Sequence, residues 1–170
     1  MTSDKLSLPK GWIRTTLGEC LELINGRAYK RSEMLQSGTP ILRIQNLNKG
    51  ENWFYSDLEL DEDKYCKKGD LLYAWSATFG PYIWWGNRSI YHYHIWKIKL
   101  PTSFEKKFAY YLLQEITDEI KGAAHGVAMP HMTKSGMEAW SVPIPPLNEQ
   151  RRIVAKIEEL TARSRQAKEA

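Results

Sequence analysis

One junction near the C-terminus limits what this chain can fold into more than anything else in it. Three prolines, Pro143, Pro145 and Pro146, stand just before Leu147-Asn148-Glu149-Gln150. A residue that precedes proline is held extended, so Pro145 cannot be helical and the approach to residue 147 is stiff. Immediately beyond, the signals reverse. Asn148 is a favourable helix N-cap, and Glu149 in the first turn complements the helix dipole. Ile153, Ile157, Leu160, Ser164 and Ala167 then follow a four-three-four-three spacing, a coiled-coil seam that weakens towards Ala170. So narrow a seam needs a partner helix, and Ile153, Ile157 and Leu160 are the expected pairing residues. The predicted organisation is a globular domain over residues 1–146, then the start of a spacer and dimerisation helix over 147–170.

The body ahead of that junction mixes two periodicities. Alternation from Ile41 to Leu47 predicts a strand, as do the apolar runs Leu71 to Trp75 and Ile83 to Trp85. The stretch Ile90 to Leu100, rich in Tyr, His, Ile and Trp, predicts another. Phe104, Phe108, Tyr111, Leu112, Ile116 and Ile120 recur at three- and four-residue steps, which predicts an amphipathic helix facing a core, with Gly122 placed to end it. Thr16 to Ile24 predicts a short strand or a turn of helix, and Asn25-Gly26 a tight turn that uses positive φ. Arg27 to Gln36 predicts a loop or short helix. Ser76 to Tyr82 and the small-residue segment Ala123 to Thr133 predict loops, the latter carrying His125 and His131. A chain of 170 residues, 42% of them hydrophobic, buries a real core. The fold class that results is α+β, a compact mixed domain followed by a coiled-coil-forming helix.

Catalytic signatures are missing from the sequence. It has no GxxxxGK[ST] phosphate loop, no GxGxxG dinucleotide turn and no GxSxG elbow. Nor is there an Asn- or Asp-Pro-Pro-aromatic tetrapeptide of the kind amino-methyltransferases use. Asp57 with Glu62-Asp63-Lys64 mimics a magnesium nuclease pattern, but its acidic, polar surroundings read as a solvated loop. His92 and His94 would share one strand face and could hold zinc. No HExxH or CxxC completes the set, so hydrogen-bonded histidines among aromatic neighbours are the plainer reading. Neither metal nor cofactor is expected. Cys20 and Cys66 stand far apart and argue against a disulfide framework. With no leader and no run of eighteen apolar residues, a cytoplasmic protein with no membrane partner is expected. A net charge of +4 permits contact with a polyanion without demanding it.

Four pieces, taken in order, resemble one half of a type I restriction–modification specificity subunit. They are Leu8-Pro9-Lys10-Gly11-Trp12 with Leu17-Gly18-Glu19, and Gly38-Thr39-Pro40-Ile41-Leu42-Arg43-Ile44-Gln45-Asn46. Then come Gly69-Asp70-Leu71-Leu72-Tyr73-Ala74-Trp75-Ser76-Ala77-Thr78-Phe79-Gly80, and Val142 to Gln150 with Arg152-Ile153-Val154. The resemblance implies a non-catalytic DNA target-recognition domain and a long helix. It implies double-stranded DNA, a methyltransferase (M) subunit and, through the complex, a restriction (R) subunit as partners, with a second specificity half joined by antiparallel helix pairing. Two departures stand out. Many relatives carry arginine where this chain has Trp75, and Asn-Gln-His where it reads His92-Tyr93-His94. Two other readings stay open: the reader domain of a fused restriction–methylation enzyme, and a protein-interaction module without a DNA role.

Base reading needs side chains that present donors, acceptors or apolar edges to the major groove, and phosphate contacts come from Lys, Arg and small polar groups. Loops beside strand ends carry such residues. The candidates are Lys30, Arg31 and Arg43; Ser76, Thr78 and Phe79; Tyr91, His92, Tyr93 and His94; and His125, His131, Thr133 and Lys134. Core packing is an equal reading for Trp75, Tyr91 and Tyr93.

Overall fold

Leu71-Leu72-Tyr73-Ala74 is buried at all four positions because the strand it forms runs between two cores. The computed structural model describes residues 7–123 and 132–169. Its strands are β1 (Ile13–Thr16), β2 (Glu22–Asn25), β3 (Thr39–Leu42), β4 (Phe54–Ser56), β5 (Tyr65–Cys66), β6 (Leu71–Ala74), β7 (Gly80–Ile83), β8 (Ser89–Tyr91), β9 (Ile95–Lys99) and β10 (Ser141–Ile144). The helices are α1 (Leu17–Cys20), α2 (Ile44–Leu47), α3 (Lys106–Ala123), α4 (Lys134–Glu138) and α5 (Leu147–Glu169).

β2, β9, β6 and β7 lie side by side in that order, every pair antiparallel. Side chains alternate across this sheet. Leu23, Leu71, Tyr73, Trp96 and Ile98 point to one face, where Phe108, Ala109, Leu113, Ile116 and Ile120 of α3 cover them. Leu72 and Ile95 point to the other, onto Leu42, Cys66 and Tyr91 of a second sheet ordered β4-β3-β8-β5. A sheet buried on both faces reads as an unbroken apolar run, which is why β6 shows no alternation in sequence. Within the larger core, Tyr73 stacks on Trp96 at 5.8 Å and shares a 2.8 Å hydrogen bond with the Thr117 hydroxyl. A two-stranded ribbon completes the domain. β1 pairs antiparallel with β10, Ile13 opposite Ile144 and Thr16 opposite Ser141.

Several expectations are corrected. Ile90 to Leu100 is two strands in different sheets, joined by a tight turn in which the Ile95 amide donates to the His92 carbonyl at 3.0 Å. His92 and His94 therefore share no strand face. Ile41 to Leu47 is only half strand: β3 ends at Leu42, and α2 begins at Ile44 because buried Asn46 accepts from the Arg43 amide (3.1 Å) and donates to the Gly50 and Asn52 carbonyls. Residues 80–82, placed in a loop by sequence, form β7 together with Ile83, and Trp84 and Trp85 of the expected strand lie beyond its end. Thr16 to Ile24 contains both alternatives, α1 and then β2. Gly122 lies inside α3. Lys134 begins the short α4, capped by the Thr133 hydroxyl, which accepts from the Gly136 amide at 3.0 Å. α5 starts one residue before Asn148, and the Pro146 carbonyl takes the Glu149 and Gln150 amides at 2.9 and 3.0 Å.

Candidate nucleic-acid interface

At the Ala74 end of β6 three stretches of chain converge on the turn His92–His94. The His92 amide donates to the Leu42 carbonyl (2.9 Å), the Tyr93 amide to the Arg27 carbonyl (3.1 Å), and the Trp75 amide to the His94 carbonyl (3.1 Å). Trp75 adds its indole N–H, which donates to the Tyr93 carbonyl at 2.8 Å. The Trp75 ring also lies edge-on to His94 at 5.0 Å and stacks on Trp96 at 5.9 Å. A turn of three large side chains thus stands on fixed backbone, with the Tyr93 ring 40% exposed between its histidine neighbours at 4.4 and 4.0 Å.

Gly26 is required here by closeness and not by positive φ, which it does not adopt. A Cβ at this position would sit 2.2 Å from the His92 carbonyl oxygen and 2.5 Å from that of Tyr91. Gly26→Ala must push the turn outward, and overpacking against backbone is expected to cost about 3 kcal/mol, the upper end of its ordinary range. A urea melt measures the cost. A shift of the amide resonances of residues 91–95, with those of α5 unmoved, checks the location.

Cations flank the turn. Arg27 makes a bidentate pair with Glu33 at 2.8 and 2.9 Å, and the Lys30 amide donates to the same carboxylate at 2.8 Å. The Arg27 hydrogen bonds hold the Glu33 carboxyl down at about 2. Lys30 and Arg31 follow on exposed backbone. On the other side Arg43 lies 4.5 Å over the Phe54 ring and donates to the Asn52 carbonyl at 2.7 Å.

Burial, then His94 and Arg43, push His92 down to about 4; burial also lowers His94. Both rings are neutral at pH 7; the His92 Nδ1 accepts from the His94 amide at 3.5 Å, which leaves its other nitrogen as a donor, while the neutral His94 ring carries one donor and one acceptor. The shift has a sign. The folded value lies below the unfolded one, so the unfolded chain takes the proton first as the pH falls. The stability tied to neutral His92 is complete above 6.5 and is lost as the pH falls towards about 4. The urea midpoint is expected to drop over that interval and to drop less in His92→Asn, and an imidazole NMR titration should place His92 at about 4.

The remaining candidates separate. Thr78 is tied to the end of α2: its hydroxyl accepts from the Asn48 amide at 2.8 Å, and the Tyr82 hydroxyl donates to Asn48 at 3.1 Å. Ala77 next to it holds φ at 56°, a left-handed conformation that fixes the Ser76–Phe79 loop in an unusual shape. The Phe79 carbonyl accepts from Lys121 at 3.4 Å, near the end of α3. Tyr91 does not reach out. It is fully buried, and its hydroxyl donates to the Asp63 carbonyl at 2.6 Å. Thr133 and Lys134 belong to α4, which packs on α1 near the β1–β10 ribbon and is not part of this cluster; Lys134 pairs with Glu138. His125 and His131 lie outside the described residues. Arg27 and Asn48 went unnoticed in the sequence, and only Arg27 had a signal, its place directly after Asn25-Gly26.

At the opposite end of β6 a cleft of about 500 Å³ gathers Lys97, Lys106 and Arg88. Three of its cations have partners, Lys97 in the Tyr65 carbonyl (2.7 Å), Lys106 in that of Gly69 (2.6 Å) and Arg88 in Glu62 (2.5 Å). Glu62, Asp63 and Asp70 stand among them, so the charge of the cleft is mixed. Among the described residues, however, no three acidic, thiol or imidazole side chains are grouped so as to hold a metal.

The profile of the type I restriction modification DNA specificity domain matches residues 9–170. The type I restriction enzyme EcoBI specificity subunit of Escherichia coli is 26% identical over 160 residues, covering 92% of this chain and 34% of that protein. The MjaVIII specificity subunit of Methanocaldococcus jannaschii is 24% identical over 155 residues, 89% of this chain and 36% of that one. This chain thus spans about a third of each. Among solved structures, the HsdS subunit from Thermoanaerobacter tengcongensis superposes with a TM-score of 0.73 at 22% identity, covering 95% of this chain and 40% of that chain. A chain from a study of complex assembly and conformational transition in the type I R-M system gives 0.77 at 21%, covering 99% and 43%. These likenesses agree on an α+β fold that ends in a long helix.

Proposed function

This chain belongs to the family of type I restriction modification DNA specificity domains, and from that premise we propose that it reads one half of a two-part DNA target and directs a methyltransferase and a restriction subunit to it. It does so without catalysis of its own, in the cytoplasm. Residues 7–146 act as the reader and α5 as the spacer that pairs with a second half. Among the described residues no helix is long and apolar enough to cross a membrane. The observation that carries the reading is the turn His92–His94. It holds an exposed aromatic ring and two neutral imidazoles on backbone fixed by three segments, with Arg27 and Arg43 beside them. Tyr93, His92 and His94 discriminate bases; Lys30, Arg31, Arg43 and Thr78 hold phosphates and set the register.

The test is selection of this chain, at low salt, against a pool of randomised duplexes. A short enriched motif that disappears with Tyr93→Ala supports the reading. A folded protein that enriches nothing, alone and again when assembled with a methyltransferase and a second half, overturns it.

A further inference from the structure

Going one step beyond that reading and resting on it, we propose that Gln150 is the positioning residue that locks α5 to the reading domain and thereby sets the helix's direction. Its side chain is only 1% exposed, although the outer part of the same helix stands in solvent. Its carbonyl oxygen accepts from the Glu105 amide at 2.8 Å, and its amide nitrogen donates to the Ser103 carbonyl at 3.3 Å and the Pro145 carbonyl at 3.0 Å. One side chain thereby ties the root of α5 to the segment that enters α3 and to the end of β10. Glu105 is itself fixed, because its carboxylate accepts from the Phe108 amide at 2.6 Å. All three partners of Gln150 are main-chain atoms, so the geometry is set by the fold and not by other rotamers.

Gln150 does not hold the helix alone, but the other anchors are of a different kind. Val154 is buried one turn on and Ile153 packs against the main core. Those apolar contacts tolerate sliding and rocking, which directed hydrogen bonds do not. Farther out, Lys107 of α3 pairs with Glu158 on the surface. Residues 158–169 are exposed throughout. The direction of this outer part is therefore decided in the first two turns. At 1.5 Å per residue α5 runs roughly 28 Å beyond Gln150, and a tilt of about 10° at the root moves the tip by about 5 Å. That exceeds the ~3.4 Å rise of one base pair, so the lock is fine enough to matter for the spacing of two half-sites.

Gln150→Met keeps the side chain's length and packing and removes all three hydrogen bonds. Residual dipolar couplings measured on the chain show whether α5 and the sheets share one alignment. A shared alignment is expected for the wild type and its loss for Gln150→Met; a helix that stays aligned overturns the proposal. Gln150→Glu guards against a variant that fails to fold. Its protonated carboxyl regains one donor, so alignment is expected at acid pH and loss on ionisation. The wild type titrated in parallel controls for Glu19, Cys20 and Glu105 nearby; an alignment in Gln150→Glu that ignores pH counts against the lock. In the assembled specificity unit, wild type should accept one half-site spacing and Gln150→Met also spacings one base pair longer or shorter. Unchanged spacing with a loosened helix overturns the functional part. A wild type with no spacing preference would sink the two-part reading instead, while the couplings still decide the lock.

Discussion

Changing Ile157→Glu and Leu160→Glu together is expected to lower the affinity of a paired assembly for a two-part target about a hundredfold, with each half's own binding and melting unchanged. The size follows from linkage. If each half binds at ~10 μM and pairing supplies an effective concentration of ~1 mM, the pair binds at ~0.1 μM, and separation forfeits that gain. The structure distinguishes the three seam residues. Ile153 is used within the chain, packed on the domain's own core, whereas Ile157 is half-buried and Leu160 is 51% exposed. Charges at 157 and 160 therefore strike pairing and spare the domain. Sedimentation reads the pairing, and titration with spaced and single half-sites reads the affinity. Equal affinity for the spaced target in variant and wild type would remove α5 from the mechanism.

Trp96→Ala is expected to cost about 3–5 kcal/mol of stability, the range for emptying a large aromatic site in a core. A domain of this size holds only ~5–15 kcal/mol in reserve. Trp96 is 2% exposed, lies between Tyr73 and Trp75, and packs against the face of the sheet that α3 covers. The loss reaches beyond the core. Trp75 rests on Trp96 and holds the Tyr93 carbonyl, so the turn His92–His94 loses its support as well. Urea denaturation measures the first effect. Exchange broadening at residues 92–94 under conditions where the sheet is still folded measures the second. A melt within 1 kcal/mol of wild type would show that the stack is incidental.

How much of this was legible beforehand depends on whether the signal was periodic or came from contact. α3 and α5 announced themselves because an amphipathic face repeats over many turns, and β6 because a doubly buried strand is apolar throughout. The turn at His92 was invisible. Tyr-His-Tyr-His contains neither glycine nor proline, and aromatic residues favour strands. α2 was hidden because Ile41 to Leu47 keeps alternating while Asn46 reaches back to cap a new helix. Gly26 was noticed for the wrong reason, since only the fold brings the His92 carbonyl against it. Tyr91 and Tyr93, two residues apart, would share a face of one strand; they part because Tyr91 closes β8, paired with β3, while Tyr93 stands in the turn beyond it. Thr133 and Lys134 looked like members of a reading loop because sequence says nothing of which side of the domain a short helix packs on. The family's pieces were legible because they are the stiff parts: the entry before β1, the turn before β6, and the prolines before α5.

The β1–β10 ribbon has a consequence for how such a protein changes over generations. Chain entering the domain at β1 and chain leaving it at β10 lie side by side, joined by four residue pairs. Both larger sheets and the reading turn lie between these two crossings, and the root of α5 meets the same domain again through Gln150, Ile153 and Val154. A stretch of coding sequence from β1 to β10 is therefore expected to exchange as a unit. It keeps the angle of α5 only when the incoming domain supplies the same main-chain partners to Gln150, as the Ser103 carbonyl and the Glu105 amide do here. Such an exchange would change what the domain reads in one step and leave the sequence of α5 as it was.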